Sequence, residues 1–287
     1  MSTDTTPRTA HAQHRTSSTA RLSAWHVLRS EWIKLWTLRS TFWTIGLTIT
    51  VLVLLAWAMA ASYNSFGDQI GGGEAGSAGL VYNVLAPGQI FGSLVLVVLA
   101  ALVVTGEYGT GQVRSTFAAV PRRLPVLWAK GAVVAVVAFL TAAVGTGLSL
   151  LLAGAIAPGL QPDWSDPEMV RVVVGTPLYI ATVALLGFAL GALLRNTAAT
   201  IATVIGFVLV VESVLNLIAW KPLEYVRPFL PSSAGARVAT PQELLEMTNG
   251  LAPTAVDLSP WAGYGVLVAW VAVLVVAAAV RLRTRDV

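Results

Sequence analysis

Acidic side chains are the main candidates for chemistry in this sequence, because the other common catalytic groups are missing or badly placed. The chain has no cysteine, which excludes cysteine nucleophiles and thiolate metal sites. Its three histidines all precede the first long apolar run. That position excludes a Ser-His-Asp triad within the apolar part of the chain and an HExxH zinc site. No nucleotide-binding fingerprint is present, so energy for any driven process has to come from a partner or a gradient.

One acid, Glu212, lies inside a long apolar run, with Asn216 one helical turn later. A charged group in hydrocarbon is costly, so such an acid is a candidate functional residue, able to bind a cationic substrate or relay a proton. The alternative is a structural acid near the membrane surface, hydrogen-bonded to Asn216, Ser213 or a neighbouring helix. Because a polar connection begins about eight residues later, the sequence favours the structural interpretation.

A second candidate is the polar stretch from residue 105 to 123. Thr110 is suited to cap a short helix that starts at Gly111 and ends before a proline. If that helix extends back to Glu107, Glu107 and Arg114 lie near one face. A short helix needs an external partner to be stable, so the stretch predicts docking on another protein. The alternative is a basic loop that only sets membrane topology.

The elements that position these residues are strongly apolar. Only 11% of the residues are charged and 56% are hydrophobic, whereas about a quarter are charged in soluble domains. Six apolar segments each approach the roughly 20 residues that a helix needs to cross the hydrocarbon core. A non-helical segment would leave its amides unpaired in lipid. The predicted fold is therefore an all-α membrane protein with six transmembrane helices, at about 42–61, 89–105, 131–156, 172–194, 197–219 and 261–280.

The N-terminal part differs from the spans. Residues 1–20 are rich in Ser and Thr and lack aromatic residues, so they predict a disordered tail. Residues 21–39 place apolar residues, among them Trp25, Trp32 and Trp36, at helical spacing. This pattern predicts an amphipathic helix at the membrane interface, with basic residues near anionic lipid. The alternative is the polar start of the first span. Residues 21–287 then form a single membrane domain.

The distribution of charge predicts the orientation. With a cytoplasmic N-terminus, fourteen of the 18 basic residues and only five of the 14 acids fall on the inner side or within spans. Both termini are therefore predicted to be cytoplasmic. The outer connection 220–260 contains aromatic residues interrupted by prolines, which predicts short broken helices that dip into the outer leaflet. The alternative there is an exposed loop.

Four sequence motifs resemble the permease subunit of type-2 ABC transporters. They are SEWIKLW at 30–36, GEY at 106–108, GQVRST at 111–116 and PRR at 121–123. The resemblance covers essentially the whole chain, including six spans, an interfacial N-terminal helix and broken outer helices before the last span. One departure is Gln112, where many relatives carry Thr.

The resemblance implies a division of labour between subunits. The connection between the second and third spans becomes a coupling helix that contacts a separate cytoplasmic ATPase subunit. The implied contact residues are Glu107, Tyr108, Thr110, Gly111 and Arg114. The permease binds no cofactor itself, since ATP and Mg belong to the partner, and it pairs with a second permease copy, identical or related. The implied location is the bacterial plasma membrane. The expected partners include membrane lipid and exclude nucleic acid.

Three functions follow as hypotheses. The first is a permease subunit that forms a translocation path for export and couples it to the ATPase. The second is a gradient-driven carrier that works without an ATPase and uses Glu212 as its titrating group. The third is a membrane enzyme acting on lipid, whose acid and base would have to be Asp or Glu. The transported substrate is left open by the sequence.

Overall fold

The chain is built from helices throughout the part that the computed structural model describes, which comprises residues 24–66, 76–112, 123–218, 220–251 and 254–284. The predicted tail at 1–20 and the stretch that holds Arg114 lie outside the described residues. In chain order the α-helices are α1 (Ala24–Thr37), α2 (Arg39–Phe66), α3 (Ser77–Gly109), α4 (Arg123–Ile156), α5 (Pro167–Leu194), α6 (Thr197–Leu217), α7 (Leu223–Val226), α8 (Pro231–Ala236), α9 (Gln242–Leu251) and α10 (Pro260–Thr284).

Six of these helices, α2 to α6 and α10, are long and apolar enough to cross a membrane. The prediction of an all-helical chain with six such segments is confirmed for the described residues. Five of them are longer than the predicted spans, most of all α3, which begins at Ser77 although the predicted span began at 89, whereas α6 ends at Leu217, two residues before its predicted end. Pro87 lies inside α3, and the apolar residues Val81 and Val84 before it are buried. Proline is tolerated in membrane helices where neighbours cover the backbone.

Helices α3, α4 and α5 form the centre of the bundle, and α2, α6 and α10 lie at its periphery. In the most apolar window of α5, 72% of the residues are buried inside the chain, against 17% in α6. The outer faces of the peripheral helices carry exposed apolar side chains, such as Leu54, Val210 and Val273. Such faces suit contact with lipid.

Glycines set the close packing of α2 on the centre. Leu52 of α2 lies against Gly88 and Gly92 of α3 and Gly145 of α4. A Cβ atom at Gly145 would lie 2.3 Å from Leu52 Cδ1, so a larger residue there would require the Leu52 side chain to move. By contrast, a Cβ atom at Gly147 would meet no atom within 4 Å. The glycines inside the spans therefore differ, and some of them allow close helix approach while others face open space.

The two ends of the bundle differ in construction. At the near end, defined here as the end that carries α1, that helix packs through Val27 and Leu35 onto α4. Trp25, Trp32 and Trp36 of α1 remain partly or fully exposed, which gives the helix an amphipathic surface. At the far end, the stretch between α6 and α10 forms the short helices α7, α8 and α9. Pro231 occupies the first turn of α8, where its missing N–H costs nothing.

Candidate functional site

Four charged side chains meet at the near end and form a closed ring of ion pairs, which we call the charge ring. Lys130 Nζ lies 2.5 Å from Glu31 Oε2 and 3.0 Å from Glu107 Oε1. Lys34 Nζ lies 2.8 Å from Glu31 Oε1 and 3.2 Å from the same Glu107 oxygen. Each carboxylate therefore contacts both ammonium groups, and the four formal charges sum to zero.

The charge ring is largely withdrawn from solvent. The side chains of Glu31 and Lys130 are 3% and 8% exposed, and that of Glu107 is 12% exposed. Lys34, at 33%, is the most open member. Burial alone would lower the pKa of Lys34, but the hydrogen bond and charge of Glu31, together with Glu107, outweigh burial and raise this pKa. Because the four formal charges balance in a largely buried cluster, removing one member leaves one charge without a counter-charge.

Three separate helices bring the ring together. Glu31 and Lys34 are three residues apart and so lie on one face of α1. Glu107 lies in the last turn of α3, and Lys130 lies about two turns into α4. From the sequence, Glu31 and Lys34 were placed on the polar side of the predicted amphipathic helix and Lys130 was counted among the inner basic residues, but their association was not predicted. The available signal was the presence of two acids, Glu31 and Glu107, within flanks that otherwise carry bases.

The last turn of α3 makes further polar contacts next to the ring. Thr105 and Thr197, the first residue of α6, share a hydrogen bond of 2.6 Å between their hydroxyls. The guanidinium carbon of Arg195 lies 5.2 Å from the centroid of the Tyr108 ring, within cation–π range. Arg195 has a φ of 60° and ends α5 in the left-handed conformation. One turn of α3 thus contacts α1, α4 and the junction between α5 and α6.

The predicted partner-contact residues fall into two groups. Glu107 and Tyr108 are half-buried and engaged with other parts of this chain. Thr110 and Gly111 are exposed. Thr110 follows α3 as its C-terminal cap, with its hydroxyl donating to the Gly106 carbonyl. The helix that Thr110 is predicted to cap extends into residues 113–122, which lie outside the described part of the chain. Arg114 lies outside the described residues.

The second predicted site, Glu212, lies at the far end of α6 directly after a π-helical segment, Gly206–Val211. Its side chain is buried and accepts three hydrogen bonds. Ser232 N donates to Oε1 at 2.8 Å, and Ser233 N and Oγ both donate to Oε2 at 2.7 Å. These donors belong to the first turn of α8, so the carboxylate satisfies amides that a helix start leaves unpaired.

Of the partners predicted for a structural Glu212, which were Asn216, Ser213 or a neighbouring helix, the structure shows the neighbouring helix, α8. Asn216 is exposed, and its Nδ2 donates to Ser233 Oγ at 3.2 Å, so Glu212 and Asn216 meet on one serine. Tyr179 of α5 shares a hydrogen bond of 2.7 Å with Ser232 Oγ. The arrangement holds α8 between α5 and α6, and both oxygens of Glu212 are occupied by donors of the same short helix.

Within the described part of the chain, no group of three or more His, Asp or Glu residues is placed to hold a metal ion. No protein-family model and no curated protein matches the sequence.

Proposed function

We propose that the chain is the permease subunit of an ATP-driven exporter of the type-2 ABC class, coupled to a separate ATPase subunit. The proposal rests on the contacts that the last turn of α3 makes. This turn precedes the connection that, by the resemblance, contacts the ATPase, and its residues Thr105, Glu107 and Tyr108 contact α1, α4, the end of α5 and the start of α6. A force on that connection therefore reaches four elements of the bundle through one helical turn.

The charge ring suits a transmission role because its contacts are exchangeable. Each carboxylate has two ammonium partners, so α3 can shift against α1 or α4 while each buried acid keeps one of them. A cluster with two arrangements of similar energy is the kind of element that a partner can bias. In this proposal, ATP and Mg bind the partner, and the energy of ATP contacts closes the ATPase subunits and pushes the connection after Tyr108.

The remaining parts of the proposal concern assembly and location. The chain supplies the translocation path and the mechanical lever, and it performs no covalent chemistry. A second permease copy completes the path, the location is the bacterial plasma membrane, and both termini and the charge ring face the cytoplasm. Helix α1 then lies at the inner membrane interface, where its exposed tryptophans meet lipid headgroups.

The experiment separates contact with the ATPase from transmission within the permease. The permease is co-expressed with a Walker-containing ATPase encoded beside it, and complex formation and ATP-dependent transport are both measured. Thr110→Arg, at an exposed position, is expected to weaken co-purification. Thr248→Arg, at an exposed position of the far end, is the matched control and leaves co-purification unchanged.

Glu107→Gln is expected to give the complementary result. The ATPase still co-purifies, because the altered side chain lies inside the charge ring, but ATP hydrolysis and transport become uncoupled. Failure of the native chain to bind any ATPase would overturn the proposal. Transport that persists without ATP and is lost in Glu212→Gln would replace it by the gradient-driven carrier.

A further inference from the structure

A groove of about 560 Å³ opens at the far end between the first turns of α5 and α10. Pro167, Val170 and Val174 line it from α5, and Pro260 and Trp261 line it from α10. It belongs to neither the charge ring nor the Glu212 site. The groove is mostly apolar, but Glu168 and Arg171 also line it.

The position of the groove indicates what surrounds it. Both helices begin here as membrane-spanning segments, so the groove starts where headgroups meet hydrocarbon. Val170 and Val174 are one helical turn apart on α5 and lead from the helix start toward the membrane interior. Both valines are exposed, and the Trp261 indole is 55% exposed. Tryptophan favours the headgroup level, so this wall suits an amphiphile that enters from the bilayer.

Two opposite charges stand at the mouth of the groove. Glu168 Oε1 accepts from Arg171 Nη2 at 2.8 Å and from the backbone N–H of Gln242 at 2.6 Å. Arg171 Nη1 donates to three backbone carbonyls that follow the end of α8, those of Arg237, Val238 and Thr240. Among the described residues, no hydrogen-bond partner is found for Glu168 Oε2 or Arg171 Nε. The fixed pair therefore retains one acceptor and one donor for a ligand.

We propose that this groove binds one phospholipid with a zwitterionic headgroup. The ammonium group lies toward Glu168 and the face of Trp261, because carboxylates and indole rings both attract cations. The phosphate lies toward Arg171, and an acyl chain follows Val170 and Val174. An anionic headgroup fits less well, since Glu168 already neutralises Arg171 and would repel a second negative charge. The inference goes beyond the proposed transport function and does not depend on it.

The test compares two lipids that differ in the headgroup only. The full chain is purified in detergent and titrated with phosphatidylethanolamine or phosphatidylglycerol of the same acyl chains, and bound lipid is counted by native mass spectrometry. One phosphatidylethanolamine per chain is expected to bind about tenfold more tightly, which corresponds to about 1.4 kcal/mol. Equal binding of the two lipids would overturn the proposal.

Variants locate the binding. Val174→Trp fills the groove and is expected to remove the preference for phosphatidylethanolamine. Val214→Trp on α6 is the matched control, because Val214 is 47% exposed and Val174 is 44% exposed, and it leaves the preference intact. Trp261→Ala, which removes a largely exposed ring, provides a second test if Val174→Trp does not fold. If both groove variants fold and keep the preference for phosphatidylethanolamine, the assignment is contradicted. If Val174→Trp does not fold, an unchanged preference in Trp261→Ala contradicts it.

Discussion

The two ends of the bundle stabilise their buried acids in different ways. At the near end, Glu31 and Glu107 are matched by two lysines, so charge meets charge. At the far end, Glu212 is matched by the amides and one hydroxyl of Ser232 and Ser233. The far-end arginines also donate hydrogen bonds to backbone carbonyls. Arg171 donates to three carbonyls, Arg227 to those of Leu215 and Ile218, and Arg237 to that of Leu258.

The two kinds of partner differ in how much helix movement they allow at each end. Flexible lysine side chains can follow a moving helix, and each acid of the charge ring has an alternative partner. Backbone groups have fixed positions, so Glu212 keeps its hydrogen bonds only while α8 stays against α6. We therefore expect the near end to allow rearrangement and the far end to hold the segment between α6 and α10 rigidly. Four substitutions test this comparison.

The largest effect is expected for Lys130→Met. It leaves Glu31 and Glu107 with only Lys34, so one buried negative charge is uncompensated. Breaking a buried pair in this way costs about 3–5 kcal/mol of unfolding free energy. The measurement is denaturant unfolding of the purified chain in mixed micelles. The double variant Lys130→Met with Glu31→Gln restores neutrality and should recover most of the loss. Equal losses in the single and double variants would show that the ring does not act as a charge-balanced unit.

The next effect is expected for Glu212→Ala, which leaves Ser232 N and Ser233 N without acceptors. Unsatisfied buried amides cost about 1–3 kcal/mol in total when water can partly replace the acceptor. Local hydrogen exchange should increase at α8, while α1 and the end of α3 remain protected. Asn216→Ala is the control, because its single hydrogen bond is exposed. Exchange that increases equally at both ends would contradict local docking.

The sequence predicts the six apolar helices well, because lipid imposes helix formation and a minimum length on any spanning segment. It also identifies Glu212 as unusual, because an acid in an apolar run is visible without coordinates. It could not predict that Ser232 and Ser233 are its partners, since this depends on how the chain folds back after α6. Likewise, Lys130 and Glu31 are 99 positions apart, and only the packing of α1 on α4 brings them together.

A smaller effect is expected for Gly175→Ala, which tests the rigidity of the far end. A Cβ atom at Gly175 would lie 2.5 Å from the Val238 carbonyl oxygen, a backbone atom that cannot rotate away. The resulting shift should cost about 1–2 kcal/mol. Gly147→Ala is the matched control inside another span, where no atom lies within 4 Å, so better helix propensity is expected to stabilise it slightly. Equal unfolding free energies for the two variants would remove the evidence for tight docking.

The smallest effect is expected for Lys34→Met. Its loss also leaves one negative charge unbalanced, but Lys34 is 33% exposed and Lys130 only 8% exposed, so water can take the place of the Lys34 ammonium group. Its loss should cost about 1 kcal/mol or less, as for partly exposed pairs.

The pKa of Lys34 is raised in the folded chain, because the hydrogen bond and charge of Glu31, with Glu107, outweigh the opposing effect of burial. Its contribution is therefore complete below the lysine value of about 10.4 and is lost only at higher pH. The stability difference between native chain and Lys34→Met should be equal at pH 7 and pH 9, with the exposed Lys221→Met unchanged at both. A difference that declines between these two pH values would mean that Lys34 is not held by the two acids, and the near end would then depend on Lys130 alone.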